Sequence, residues 1–239
     1  MNAAAWLRLS PSEQDALLLS LRVASRSVLA SLPFALATGW LLARRRFAGR
    51  ILLDALVQLP LVLPPVAVGY GLLVLFGARG PLGAWLDRVL HAHLAFTTNG
   101  AALATAAMTF PLFVRIIRVS MEQLDPGLAD VARTLGAGAL DRFLTLTLPL
   151  VIPGVLAGMV TAFSAALGEF GAVITFVGNI PGITRTLPLA LYTMLQAPGG
   201  EHAAARLATL SILLGLAGLL LSEWLARRLW HMLGRGTPA

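Results

Sequence analysis

Few residues in this 239-residue chain could do covalent or metal chemistry. It has no cysteine, and all 18 of its basic residues are arginine, so thiolate metal sites, a lysine Schiff base and a Walker A phosphate loop are excluded. The patterns GxSxG and HExxH are also absent. His91 and His93 are not accompanied by a carboxylate cluster or a cysteine, so we expect no metal site there. We therefore expect no enzymatic activity and no cofactor bound by this chain itself.

Long apolar segments position the few ionisable residues. Hydrophobic residues make up 57% of the chain and charged residues 12%, with a mean hydropathy of +0.81. Soluble domains are about a quarter charged, and a helix needs about 20 apolar residues to cross a bilayer. The sequence therefore predicts an all-α integral membrane protein with about five transmembrane helices, over residues 17–43, 51–76, 98–114, 150–177 and 203–226.

The arginines are distributed unevenly between the two ends of these spans. If residues 44–50 face the cytoplasm, that side carries eleven of the 18 arginines and the other side at most seven. The positive-inside rule then places the N-terminal segment 1–16 outside and the tail 229–239 in the cytoplasm. The same flanking arginines account for the net charge of +7 without any nucleic acid. We expect a multi-pass protein of the bacterial inner membrane, surrounded by lipid.

The longest predicted cytoplasmic loop covers residues 115–149. Its four arginines are balanced by four carboxylates, which a lipid-binding basic patch would not have. Residues 128–135 and 139–146 are compatible with helices on either side of Gly136 and Gly138, and Pro149 suits the first turn of the next span. The pattern predicts a two-part helical hairpin on a membrane face, and both a docking surface and a solvated connector fit it.

The stretch DVARTLGAGALDRFLTLTLP, residues 130–149, resembles the cytoplasmic loop of ABC importer permeases. That loop is patterned Glu-Ala-Ala, three residues, Gly, nine residues, Ile, any residue, Leu-Pro. The spacing fits throughout, with conservative changes of Glu to Asp, Ala to Val and Ile to Leu. The matching positions are Asp130, Val131, Ala132, Gly136, Leu146, Leu148 and Pro149.

Further stretches resemble molybdate permeases in particular. Sulfate and thiosulfate permeases share parts of these motifs, and tungstate is a close mimic of molybdate, so these ions remain alternative substrates. The stretches are LPLVLPPVAVGY (59–70), ARTLGAG (132–138), LGEFGA (167–172), NIPGITRTLP (179–188), QAPGGE (196–201) and SEWLA (222–226).

The resemblance implies the permease subunit of a molybdate ABC importer, with the type I permease fold over residues 17–228. The 130–149 loop would be the coupling helix that docks into a cleft of a separate ATP-hydrolysing subunit. The implied partners are a second copy of the chain, two subunits that bind ATP and Mg, and an external molybdate-binding protein. Transport would proceed by alternating access, without catalytic residues in the permease.

Four further residues are candidates for the pathway or for partner contact. Pro64 and Pro65 remove backbone donors within the second span and predict a kink that either lines the pathway or only packs. Glu169 should face protein or water, so we expect a structural role, with an arginine or backbone amides as partner and a gate as the alternative. Arg185 lies in an outer loop, where it would contact the binding protein or attract a dianion, or would simply be solvated.

A secondary transporter or channel is the rival class of function. Such proteins need coupling carboxylates in the membrane and are often built from inverted repeats. As candidate coupling carboxylates in the apolar segments we see Glu169 and, near a span end, Asp54, and we find no convincing repeat. Co-purification with an ATPase would separate the two classes.

Overall fold

The computed structural model describes residues 9–45 and 47–232, and these are helical without any strand. Residues 1–8 and 233–239, which belong to the predicted external segment and cytoplasmic tail, lie outside the described part. The helices are α1 Pro11–Arg44, α2 Arg50–Val62, α3 Pro65–Phe76, α4 Pro81–Leu90, α5 Thr98–Glu122, α6 Pro126–Thr134, α7 Ala139–Asp141, α8 Leu148–Leu167, α9 Gly171–Val177, α10 Leu187–Gln196 and α11 Glu201–Met232, with a π-helical segment Arg142–Thr147 between α7 and α8.

Four helical stretches are long and apolar enough to cross a membrane. They are Pro11–Arg44, Thr98–Glu122, Ala139–Leu167 and Glu201–Trp224. The bent pair α2 and α3, counted as one span, is the fifth. The prediction of an all-helical protein with about five spans is therefore confirmed. The helices are longer than the predicted spans, because α5 continues through residues 115–122, which the sequence had suggested to be part of a loop.

α1 begins before the predicted first span, and its start is fixed by local hydrogen bonds. The Ser10 hydroxyl accepts from the Glu13 backbone N–H at 3.3 Å, and the Glu13 carboxylate accepts from the Ser10 N–H at 2.7 Å. This capping box satisfies two of the backbone donors that a helix start leaves free. With 34 residues, α1 is about 50 Å long and exceeds the roughly 30 Å of hydrocarbon in a bilayer.

The second and fourth predicted spans are broken rather than continuous. α2 and α3 are bent by 114° at a break before Pro65, where two successive prolines cannot donate backbone hydrogen bonds. The fourth segment, 150–177, divides into α8, which ends at Leu167, and α9, which begins at Gly171. The kink expected at Pro64 and Pro65 is present, whereas the hydropathy of the fourth segment gave no sign of its break.

The core lies where α1, α5 and α8 pack together. Small residues bring these helices close, since a Cβ added at Gly39 of α1 would lie 2.8 Å from the Ile117 side chain of α5. A Cβ added at Gly158 of α8 would lie 3.0 Å from Phe113, and Gly154 of α8 leaves no room beside Ser120. Both of these neighbours belong to α5, so the two glycines, four residues apart, serve helix packing within the subunit.

Ion pairs connect helices at both ends of the bundle. Arg118 of α5 contacts Asp54 of α2 and Glu122 at 2.8 Å each, at the end where residues 123–138 lie, which we call the hairpin end. At the far end, Arg206 of α11 contacts the buried carboxylate of Glu13 at 2.9 Å. These pairs join α5 to α2 at the hairpin end and α11 to α1 at the far end.

Candidate functional site

The first limb of the hairpin is α6, and both of its ends are capped. The Asp125 carboxylate accepts from the Gly127 N–H at 2.8 Å. At the other end, the Gly136 N–H donates to the Arg133 carbonyl and the Ala137 N–H to the Ala132 carbonyl, both at 3.0 Å. These two bonds form a Schellman motif, which needs a left-handed residue, and Gly136 has φ +87. The glycine of the loop motif is thus the residue that reverses the chain.

The second limb runs without interruption into the membrane helix. α7, the π-helical segment and α8 form one 29-residue helix, Ala139–Leu167. Pro149 lies in the first turn of α8, as the sequence predicted, but α8 continues the helix of the second limb instead of starting a new one. Pro149 has no N–H to donate, and the helical hydrogen bonds before it follow the π pattern. The Leu148 N–H donates to the Phe143 carbonyl five residues back. Arg142 closes the hairpin by donating to the Ala137 carbonyl at 3.0 Å.

α6 carries an exposed apolar stripe, formed by Leu128, Val131 and Leu135. These residues are 41%, 59% and 81% exposed, and their spacing of three and four residues puts them on one helix face. Leu140, on the second limb, is 70% exposed. Apolar anchors at this spacing are typical of a helix that lies in a groove of a partner. Sequence reasoning selected Val131 by its motif but missed the three leucines, although their spacing was visible.

The motif residues occupy three different environments. Asp130 is exposed and forms an ion pair with Arg133 at 3.2 Å, on the same helix as the stripe. Ala132 is half-buried and accepts the capping bond of the turn. Leu146 and Leu148 are half-buried in the second limb, before the exposed Pro149. The motif therefore combines an exposed helix, a turn and a connection to the membrane core.

The two broken spans meet each other, although their breaks are about a hundred residues apart in sequence. A Cβ added at Gly171 would lie 2.7 Å from the Pro65 side chain, and one added at Gly69 would lie 2.6 Å from the Ala172 carbonyl. The structure thus brings Pro64 and Pro65 to the region of Glu169. Irregular backbone at membrane depth is tolerated where it is buried in protein or lines a cavity.

Glu169 lies in the break between α8 and α9. Its side chain is half-buried and accepts a hydrogen bond from the Ala172 N–H at 2.9 Å, so it caps the start of α9. Among the described residues, no arginine forms an ion pair with it. Of the two structural partners that the sequence left open, the structure shows the backbone amide.

Arg185 is held in place in the loop between α9 and α10. Its Nε donates to the Asn179 side-chain oxygen at 2.9 Å, and its backbone N–H donates to the Ile180 carbonyl at 3.0 Å. The side chain is half-buried, and no ion pair neutralises it within the described residues. The guanidinium therefore presents a fixed positive charge, and among the described residues it forms no ion pair with Glu169.

The histidines predicted not to bind metal lie at the far end of the bundle. His93 contacts the Asp87 carboxylate at 3.3 Å, and both side chains are more than half exposed. The described residues contain no group of three His, Cys, Asp or Glu side chains that could hold a metal ion.

Comparisons with known proteins agree on one class. The family described as "Binding-protein-dependent transport system inner membrane component" matches residues 35–231. The chain is 55% identical over 219 residues to the "Molybdenum transport system permease protein ModB" of Escherichia coli K12, covering 92% of this chain and 96% of that protein. It is 51% identical over 227 residues to the protein of the same name from Haemophilus influenzae, covering 95% and 99%.

More distant similarities extend to sulfate transport and to solved structures. The chain is 38% identical over 184 residues to the "Sulfate transport system permease protein CysT" of Escherichia coli K12, covering 76% of this chain and 66% of that protein. A bacterial alginate ABC transporter in complex with a pentasaccharide-bound periplasmic protein matches with a TM-score of 0.73 at 18% identity, covering 96% of this chain and 83% of the other. An amino acid ABC transporter matches with a TM-score of 0.63 at 15% identity, covering 95% and 99%.

Proposed function

The chain belongs to the family of binding-protein-dependent transport system inner membrane components, and from this premise we propose that it is the permease subunit of an ATP-driven molybdate importer. It is a multi-pass membrane protein with the fold of ABC transporter permeases. Molybdate is favoured because the molybdenum permeases are 55% and 51% identical over nearly the whole chain, against 38% over a shorter part for the sulfate permease. Sulfate or thiosulfate, and tungstate, are the alternatives.

The observation that supports coupling to a separate ATPase is the exposed apolar stripe on α6. Leu135 is 81% exposed on a surface that no part of the described chain covers. In the proposed complex the stripe lies in a cleft of the ATPase subunit, which binds ATP and Mg. Two copies of the permease would present two hairpins to two ATPase subunits, and a molybdate-binding protein would deliver the ion on the opposite side.

The continuous helix Ala139–Leu167 gives the coupling a physical route. A displacement of the hairpin moves α8, since no loop between them can absorb the motion. α8 ends at the break that contains Glu169, and α9 beyond it packs against α3 at Gly69. ATP binding would draw the two hairpins together and tilt the helices around the proposed pathway from inward-open to outward-open, and hydrolysis would reset them.

The contact between the two breaks is the proposed pathway region. Pro64 and Pro65 have no backbone N–H to donate within the second span, and Glu169 directs its carboxylate to a backbone amide of α9. A carboxylate used in this way is not offered to an anion. A pathway of low charge can release its ion readily, and tight capture is left to the binding protein.

The orientation is part of the proposal, with the N-terminus outside and the hairpin in the cytoplasm. The chain has no cysteine, so single cysteines report their own accessibility. Thr134→Cys on the hairpin should react with an impermeant maleimide in inverted vesicles only, and Ala78→Cys, between α3 and α4, in right-side-out vesicles only. The reverse pattern would refute the orientation.

Arg185 is the proposed contact for the binding protein. Arg185→Glu should weaken docking of the molybdate-loaded binding protein and lower uptake about tenfold, because a fixed positive charge is replaced by a negative one. Arg79→Glu, an exposed arginine in the loop between α3 and α4, is the matched control for the change in net charge. Equal effects of the two reversals, or no effect of Arg185→Glu, would exclude this role.

Uptake into proteoliposomes tests the proposed function. Vesicles containing the permease, the ATPase and the binding protein should accumulate labelled molybdate with ATP, and removal of any one component should abolish accumulation. Tungstate should compete and sulfate should not. Uphill transport by the permease alone would refute the coupling, and equal competition by sulfate would refute the substrate.

A further inference from the structure

A groove between α1, α2 and α5 shares no lining residue with the hairpin or with the contact of the two breaks. It has a volume of about 540 Å³, within the range of pockets that hold small ligands. Its lining is almost entirely apolar, and the Ser31 hydroxyl within it donates to the Ser27 carbonyl at 2.7 Å. The groove therefore offers an occupant no free polar group. Its lining includes Ala30, Phe34, Leu56, Pro60, Leu103 and Phe110.

The Arg26 guanidinium lies near one end of this groove. Arg26 of α1 and Asn99 of α5 are each one helical turn beyond the lining residues Ala30 and Leu103, on the same helix faces. The Arg26 Nη1 donates to the Asn99 side-chain oxygen at 2.9 Å, and the pair is exposed. Within residues 9–45 and 47–232, Arg26 has no carboxylate partner. Four guanidinium N–H groups and the Asn99 amide remain available to a ligand.

The depth of this pair matches the phosphate level of a bilayer. Arg44 marks the hairpin end of α1, where its guanidinium reaches the Leu124 carbonyl at 3.5 Å. A hydrocarbon thickness of about 30 Å corresponds to about 20 helical residues, which places the opposite boundary on α1 near Ala24. Counting in the same way from Arg118 places the opposite boundary on α5 near Thr98. Arg26 and Asn99 therefore both lie at the boundary, and the groove extends from them into the hydrocarbon region.

We propose that this groove is a phospholipid site, in which the phosphate of a lipid from the leaflet opposite the hairpin contacts Arg26 and Asn99 and one acyl chain fills the groove. A phosphodiester supplies the negative charge that Arg26 lacks, and an acyl chain matches an apolar lining. A second copy of this chain would have to bring a carboxylate to the same depth. The exposed apolar faces of α2 and α5 carry none near this end in the described residues.

Native mass spectrometry of the full-length permease tests this site. With phosphatidylglycerol, Arg26→Gln should weaken binding of the tightest lipid about fivefold, the effect of about one arginine near a membrane surface. The matched control is Arg79→Gln, which removes the same charge from an exposed residue in the loop between α3 and α4 that does not line this groove. With diacylglycerol, which has the same chains but no phosphate, Arg26→Gln should change nothing. Ala106→Phe, which fills the groove, should remove binding of both lipids.

Three outcomes would overturn the proposal. Equal losses for Arg26→Gln and Arg79→Gln would mean non-specific charge attraction. Unchanged lipid binding by Ala106→Phe, with an unchanged melting temperature to show that the variant is folded, would place the lipid elsewhere. Efficient thiol cross-linking of two permeases through Phe34→Cys, in a chain without other cysteines, would show that a second copy covers the groove. None of these measurements depends on molybdate transport, so they test the lipid site independently of the proposed function.

Discussion

Leu135→Ala tests whether the apolar stripe docks into an ATPase. The side chain is 81% exposed in the permease, so docking can remove almost all of it from water. Truncation to alanine deletes three carbon groups worth about 0.8 kcal/mol each when buried, and scaling by the exposed share gives a loss of about 2 kcal/mol. This corresponds to roughly 25-fold weaker binding of the ATPase subunit. Two hairpins would dock in each complex, so the loss applies at both.

The measurement is the affinity of the purified ATPase for the permease in nanodiscs, followed by ATP-driven uptake with the same variants. Leu213→Ala makes the same truncation at a leucine that is 57% exposed on α11, outside the hairpin, and should leave the affinity unchanged. The melting temperature of both variants should stay near that of the wild type, because neither residue is in the core. An affinity of Leu135→Ala within about twofold of the wild type would refute the reasoning.

Three further predictions concern the turn and the two breaks. Gly136→Ala places a Cβ on a residue with φ +87 and should cost about 1 kcal/mol in the hairpin and lower coupled uptake severalfold, whereas Gly138→Ala, at φ −65, should be neutral. Gly69→Ala puts a Cβ 2.6 Å from a carbonyl of α9 and should lower the melting temperature by about 5 °C, whereas Gly71→Ala, with open space around it, should not. Glu169→Gln keeps an acceptor for the amide of α9 but loses the charge, so uptake should fall about three- to fivefold, and wild-type uptake would show that the cap does not need the charge.

The number of spans and the place of the hairpin could be predicted because they depend on local properties of the sequence. Apolar run length marks a membrane helix, and the spacing from Asp130 to Pro149 identified the loop. Gly136 could be recognised as a turn residue for the same reason. Each of these features is encoded within about twenty consecutive residues.

The break at Glu169 and the contact between the two breaks could not be predicted in the same way. The stretch around Glu169 is apolar apart from that residue, so hydropathy gives one segment where the structure has two helices. The 114° bend at Pro65 depends on what lies beyond it, and α3 packs on α9 because Gly69 and Gly171 allow close approach. Such a contact joins positions about a hundred residues apart, and no local pattern contains it.

The uninterrupted helix Ala139–Leu167 also determines how large a displacement at the hairpin becomes at the break in the membrane. It is held against α5 at Gly154 and Gly158, which lie about 25 Å from its start and about 15 Å from its end. If the helix pivots about this contact, its end at Leu167 moves a shorter distance, with greater force, than its start at Ala139. In the proposed complex, a large displacement of the ATPase subunits would therefore become a smaller displacement, with greater force, at the break after Leu167.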